Sequence, residues 1–150
     1  MAWETIAPLL DRASPLRTAH LRDPVGRQIQ FASESFIDEI AAAIGADPVV
    51  VRLRYLKAPR DIAVVKAAAE RAGWQPRPSP KPDRNGDTLT GRGNAYAQRS
   101  GALVAIVAEV EIARRSGKIW ARKFTVAHDC GLIINPDGFP RLAVDQGSSS

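Results

Sequence analysis

Gly101-Ala-Leu-Val-Ala-Ile-Val-Ala-Glu-Val-Glu-Ile-Ala113 is the stretch whose reading decides the fold. Read as a strand, it places Ala102, Val104, Ile106, Ala108, Val110 and Ile112 on one face. Leu103, Ala105, Val107, Glu109 and Glu111 share the other. The first half is apolar on both faces, which predicts burial on both; the two glutamates then turn one face to water or to a partner. Arg114-Arg-Ser-Gly-Lys118 supplies a hairpin turn with Gly117 near its end. Lys118 to Ala127 returns as a second strand, with Ile119, Ala121, Lys123, Thr125 and Ala127 opposite Trp120, Arg122, Phe124, Val126 and His128. Glu109 and Glu111 fall within cross-strand reach of Arg122 or Lys123, according to register, and such pairs are worth under about 1 kcal/mol when exposed.

The chain leaves this hairpin through Ala127-His-Asp-Cys-Gly-Leu-Ile-Ile-Asn-Pro-Asp-Gly138. Gly131, Asn135-Pro136 and Asp137-Gly138 break the strand pattern with turn formers. The stretch holds the only cysteine and one of the two histidines. A loop leaving a sheet edge with His, Asp, Cys, Asn and Gly suits a ligand. The alternative is that these residues only shape a turn.

Upstream, helical signals dominate. Phe36, Ile37, Ile40, Ala41 and Ile44 fall on one face of a helix expected from about Ala32 to Ile44. Ser35 and Asp38 stand in a capping-box relation, and Gly45 suits the position just past the C-terminus. Asp38 and Glu39 are neighbours pointing about 100° apart, so they do not converge as a catalytic carboxylate pair. Asp47-Pro48 restarts the chain as N-cap and first residue of a short helix carrying Val49, Val50, Leu53 and Leu56. Pro59 stops it. Asp61 is expected to cap a third helix with Ile62, Val65, Ala69 and Ala72 on one side, Gly73 at its end, and Trp74 folding back on it.

Residues 75–93 read as a proline-rich connector: Pro76, Pro78, Pro80 and Pro82 alternate with other residues, and Asn85-Gly86 marks a turn. Gly91-Arg-Gly93 resembles half of a phosphate-binding loop, but no helix follows it, as such a loop requires. Ser14 to Pro24 reads as an extended loop. There Arg17, His20 and Arg22 offer either an anion site or a solvated surface. The tail, residues 139–150, loses pattern and reads as disordered.

The totals bound the rest. The 150 residues suffice for one domain with a core; 45% are hydrophobic and 25% charged. The net charge of +5 invites a nucleic-acid hypothesis, but the basic residues are scattered with no run of five or six like charges, which favours a solvated surface, or contact with acidic groups of a partner, over DNA binding. One cysteine excludes an internal disulfide and is compatible with a reducing compartment. No apolar run reaches the roughly 18 residues of a membrane span. Met-Ala-Trp-Glu-Thr does not read as a secretory signal.

Several stretches, in order, resemble the molybdopterin-binding large subunit of the xanthine dehydrogenase/aldehyde oxidase family, in the branch of isoquinoline 1-oxidoreductase β subunits and nicotinate dehydrogenases. They begin with Ser14-Pro-Leu-Arg-Thr18, Phe31-Ala-Ser-Glu-Ser-Phe-Ile-Asp-Glu-Ile40, Gly45-Ala-Asp-Pro48 and Arg52-Leu-Arg-Tyr-Leu56. Pro59-Arg60, Ala67-Ala-Ala-Glu-Arg-Ala-Gly-Trp74 and Gly91-Arg-Gly93 follow. Val107-Ala-Glu-Val-Glu111 and Ala127-His-Asp-Cys-Gly-Leu-Ile-Ile-Asn-Pro136 complete the series.

The resemblance implies that residues 14–138 are part of a molybdopterin-binding domain of α+β class: three short helices, the proline-rich connector, then a β-hairpin. It implies a hydroxylase that oxidises an aldehyde or N-heterocycle with oxygen from water. The cofactor would be molybdenum held by a pterin dithiolene, usually a cytosine dinucleotide in bacteria. Electrons would leave to an iron–sulfur small subunit, with no nucleic-acid partner and no membrane span. The compartment implied is the cytoplasm, with the periplasm open to the full-length protein. Arg17, Gly131, Asn135 and Gly138 match cofactor-side positions. None of His128, Asp129 and Cys130 is implied as a metal ligand, since the family's metal is held by the cofactor's sulfurs; Cys130 reads instead as a buried small residue.

The family's large subunit is several times longer. Its Gly-Gln-Gly cofactor loop and its catalytic Gly-Glu-Pro-type motif are not found in this sequence, and the match ends after Gly138. The chain is therefore expected to be a fragment, inactive alone and without a catalytic residue of its own. The alternative is a non-catalytic binding or assembly module derived from the family.

Overall fold

The helical layer is built by three changes of chain direction, each with a local cause. The computed structural model describes residues 26–79 and 86–133, and its elements are α1 (Gly26–Ala43), α2 (Pro48–Tyr55), α3 (Pro59–Arg71), β1 (Thr88–Arg99), β2 (Ala102–Ala113) and β3 (Ile119–Asp129). At the end of α1, Gly45 takes φ 62°, Gly45 N–H reaches Ala42 O and Ala46 N–H reaches Ala41 O. That is a Schellman cap, and only glycine adopts its central conformation without cost. The end of α3 repeats it: Gly73 has φ 60°, and Trp74 N–H donates to Ala69 O at 2.8 Å. Both stops were legible in the sequence.

Asp47 begins α2 as expected. Its Oδ1 accepts from Val49 N–H and Val50 N–H, while its Oδ2 accepts from Trp74 Nε1 and Arg77 N–H. One buried carboxylate thus joins the start of α2 to the chain beyond α3. The start of α3 differs from expectation. Its N-cap is Ala58, with Pro59 in the first turn and no side-chain cap, so Asp61 lies inside the first turn. The proline that stops α2 therefore also starts α3.

α1 begins at Gly26, ahead of the expected Ala32, so Ser35 lies within the helix and cannot cap it. The turns before Ala32 are made of Arg27, Gln28, Ile29, Gln30 and Phe31, several of them good helix formers. Its expected apolar face is only partly used: Ala41 is buried, whereas Phe36 and Ile44 are exposed.

The largest departure is β1. Residues 88–93 lie in a strand, not in the connector, and the hairpin is the second half of a three-stranded antiparallel sheet of order β1-β2-β3. β1 pairs with β2 along its whole length, from Thr88 opposite Ala113 to Arg99 opposite Ala102. Two glycines and few β-branched residues hide this strand from a propensity reading. It forms because the β-rich β2 offers it a template and because Ser100-Gly101, at φ 49° and 83°, makes a two-residue hairpin turn with both residues in the left-handed region. Gly91 and Gly93 therefore stand in a ladder. A Cβ at Gly91 would sit 3.2 Å from Val110 Cγ2, so its smallness serves packing, not phosphate binding.

α2 and α3 cover one face of the sheet. Val49, Val64, Val65, Ala68 and Ala72 pack on Leu103, Ala105 and Val107. Small aliphatic side chains on both sides let helix and sheet approach closely. The opposite face, bearing Val104, Phe124 and Val126, is left open among the described residues: these three are 39%, 55% and 47% exposed. β2 is therefore buried on one face, not both, because the core residues of α2 and α3 pack against that face alone. Beyond the helices, Glu111 pairs with Arg122 at 2.6 Å, while Glu109, opposite Lys123 in register, pairs with Arg92 at 3.3 Å. A bulge in the β2–β3 ladder between Glu109 and Val110 breaks the simple register there.

Arg52 is 2% exposed and ties α1 to α2. Its Nε donates to Glu34 Oε2 at 2.8 Å, its Nη1 lies 2.8 Å from Asp38 Oδ1, and its Nη1 donates to Pro48 O. Replacing Arg52 with Leu is expected to cost about 3 kcal/mol in urea unfolding, because the half-buried Glu34 is left without its cation. Val126→Thr, on the uncovered face, is expected to change the unfolding midpoint little, by about 0.5 kcal/mol or less. Gly101→Ala is expected to lose about 1 kcal/mol to left-handed strain.

Candidate functional site

The loop after β3 starts where α3 starts. Asp129, the last residue of β3, pairs in register with Leu103 on the helix-covered face, and there it meets Arg60 in the first turn of α3. Arg60 Nε donates to Asp129 Oδ2 at 2.8 Å and Nη2 donates to Oδ1 at 2.7 Å. This is the two-pronged geometry that a guanidinium offers and an ammonium does not. Asp129 Oδ1 also accepts Gly131 N–H at 3.0 Å, closing a small turn over Cys130. Gly131 takes φ 73°, and among the described residues nothing lies within 4 Å of the place a Cβ would occupy.

The charge on Asp129 is correspondingly secure. The Arg60 hydrogen bonds first, and the Gly131 N–H second, hold its carboxyl down at about 2. The same contact raises the Arg60 guanidinium. Tyr96 lies nearby on β1, and burial first, with the Asp61 carboxylate second, pushes its phenol up to about 12. A phenol so placed stays protonated at neutral pH and does not serve as a base there. Its backbone is held separately, with Tyr96 N–H donating to Glu34 Oε2 at 2.8 Å and Tyr96 O accepting from Gln30 Nε2.

Of the residues matched to cofactor-side positions, Gly131 is in this turn, while Arg17, Asn135 and Gly138 lie outside the described residues, as do His20 and Arg22. His128 pairs in register with Val104 and so belongs to the uncovered face, away from Asp129. Cys130 is a free thiol, half-buried where a buried residue was expected. Among the described residues no group of three or more His, Cys, Asp or Glu converges to hold a metal ion. Among the described residues no helix is long and apolar enough to cross a membrane.

Arg60 is the site residue that the sequence reading missed. Pro59-Arg60 figured only as part of a family pattern, and a separation of 69 positions between Arg60 and Asp129 leaves no local signal of the pair. A cleft of about 460 Å³ lies between α1 and the sheet, lined in part by Phe31, Glu34, Asn94 and Ile106. Glu34 is already committed there to Arg52 and to the backbone of Tyr96, and Asn94 Nδ2 donates to Ile106 O.

No protein-family model matches the chain. It is similar to one subunit of the nicotinate dehydrogenase of Pseudomonas putida, at 40% identity over 146 residues, covering 91% of this chain and 12% of that protein. It is also similar to the β subunit of the isoquinoline 1-oxidoreductase of Brevundimonas diminuta, at 33% identity, covering 91% of this chain and 17% of that protein. A membrane-bound aldehyde dehydrogenase [pyrroloquinoline-quinone] of Gluconacetobacter polyoxogenes matches at 30% identity over 70% of this chain and 15% of its own length. The chain thus spans less than a fifth of each of these curated relatives.

The depressed Asp129 carboxyl sets a pH expectation. Its usual value is 3.8 and its folded value about 2, so the turn's anchor is fully present above pH 4 and is lost as the pH falls through about 2. Carbon-13 NMR of the carboxyl should give a midpoint near 2; a midpoint at the ordinary value would refute the anchor.

Proposed function

We propose, on the premise that this chain belongs to the molybdenum hydroxylase family as a segment of its large subunit, that it forms one wall of a pterin-binding site and has no turnover alone. The observation that carries this reading is the asymmetry of the match: 91% of the chain aligns at 40% identity, yet only 12% of the relative is spanned. The segment supplies a helix-backed sheet and the turn at its end. The rest of the site, including a general base, would lie in other parts of the large subunit.

In that setting the chain's own residues do structural work at the cofactor. Gly131 leaves room for the group to approach the backbone, with Arg17, Asn135 and Gly138 as its further proposed contacts. Asp129 holds the turn's shape through the Gly131 N–H. The molybdenum–pterin group, as the cytosine dinucleotide, supplies the redox chemistry when bound. The substrate class is an aldehyde or an N-heterocycle, oxidised with oxygen from water, and the electron acceptor is an iron–sulfur small subunit. The cytoplasm is the compartment we assign, with the periplasm as the alternative for the whole enzyme.

Two measurements test this. Translating the DNA on both sides of the reading frame, in all frames, should reveal a Gly-Gln-Gly loop upstream and a Gly-Glu-Pro-type motif downstream. Flanks encoding neither would overturn the segment reading and leave a stand-alone assembly module. The purified chain, given nicotinate or isoquinoline and an artificial electron acceptor, is expected to show no oxidation; measurable turnover would overturn the claim that it is silent alone.

A further inference from the structure

Among the described residues, little holds the turn after β3. β3 pairs only with β2 among the described residues, and past Asp129 the ladder stops. Leu132 is 91% exposed and Ile133 40%, so burial does not fix the turn either. What fixes it is a single oxygen shared between two donors. Asp129 Oδ1 accepts from Gly131 N–H within the turn and from Arg60 Nη2 across 69 residues. The second carboxylate oxygen takes Arg60 Nε, so the carboxylate plane is set by the guanidinium plane.

Arg60 is itself held from below. It follows Pro59, whose ring fixes φ at the first turn of α3, and the same helix buries Val64, Val65 and Ala68 in the core. The position of the guanidinium is therefore a property of the helical layer, delivered to the end of the sheet.

We infer that Arg60 is a positioning residue for the Asp129–Gly131 turn: its two-pronged contact transmits the placement of α3 to the backbone that meets the ligand. The inference rests on the proposed function for the identity of that ligand, but the contact itself does not. The other charged or titratable groups around the pair are Asp61, Tyr96 and His128. Asp61 acts on Arg60 electrostatically, whereas the fork from Arg60 sets the orientation of the carboxylate.

The test uses the full 150-residue chain without cofactor. In the Arg60→Ala variant, amide exchange at Gly131 should accelerate roughly fivefold, the scale of one lost hydrogen bond. Core amides at Val65 and Val107 should keep the wild-type rate. The Asp129 midpoint should rise from about 2 toward 3.8. Arg60→Lys should restore only part of the protection, since an ammonium does not span both oxygens. Unchanged Gly131 exchange in Arg60→Ala, or full recovery in Arg60→Lys, would overturn the inference. So would equal acceleration at Gly131 and in the core, which would make Arg60 a residue of general stability. Because no cofactor enters the assay, these outcomes leave the proposed function standing or falling on its own tests.

Discussion

A half-buried carboxylate oxygen where α1, α2 and β1 meet is the contact on which the described structure depends. Glu34 Oε2 accepts Arg52 Nε from α2 and the backbone N–H of Tyr96 from β1, each at 2.8 Å. α1 buries little apolar surface of its own, with Ala41 its one buried residue among those described. Its attachment is therefore polar and directional, and it also covers part of the open edge of β1, where unpaired peptide groups would invite another strand. A buried cation of this kind is weak evidence for stability but strong evidence for a defined geometry, because each missing partner leaves an uncompensated charge.

Asp47 does similar work on the other side of the helical layer. Its four donors come from α2, from the Trp74 indole and from the Arg77 backbone. Trp74 in turn carries the guanidinium groups of Arg77 and Arg92, 5.7 and 5.6 Å from its ring centre. Arg92 reaches the carbonyls just past α3, at Ala72 and Gly73. Polar contacts thus join α1 and the end of α3 to β1, while the valine and alanine core joins α2 and α3 to β2. The two systems divide the labour: the core supplies cohesion, and the buried ions set angles and register.

The outcome is a sheet clothed on one side among the described residues. An open apolar face and an exposed turn held by an ion pair at its base are what a segment of a much larger protein would present. They fit relatives of which this chain spans 12% to 17%.

Local chemistry determined much of this on its own. Gly45, Gly73, Asp47-Pro48 and Gly117 act within a turn of their neighbours, so the helix stops, the α2 start and the β2–β3 hairpin could be read from sequence, as could the turn at Gly131. Alternation in β2 marked both its faces but could not say which one the helices would cover. Only the tertiary structure decided that, along with the strand character of residues 88–93, the burial of Arg52 and the meeting of Arg60 with Asp129. Each of these depends on partners distant in the chain: β1 is a strand because β2 pairs with it, and a charged side chain is buried because two carboxylates arrive from another helix. Propensity and periodicity report what a residue prefers among its neighbours, whereas these four features arise from free energy gained only once remote segments are brought together.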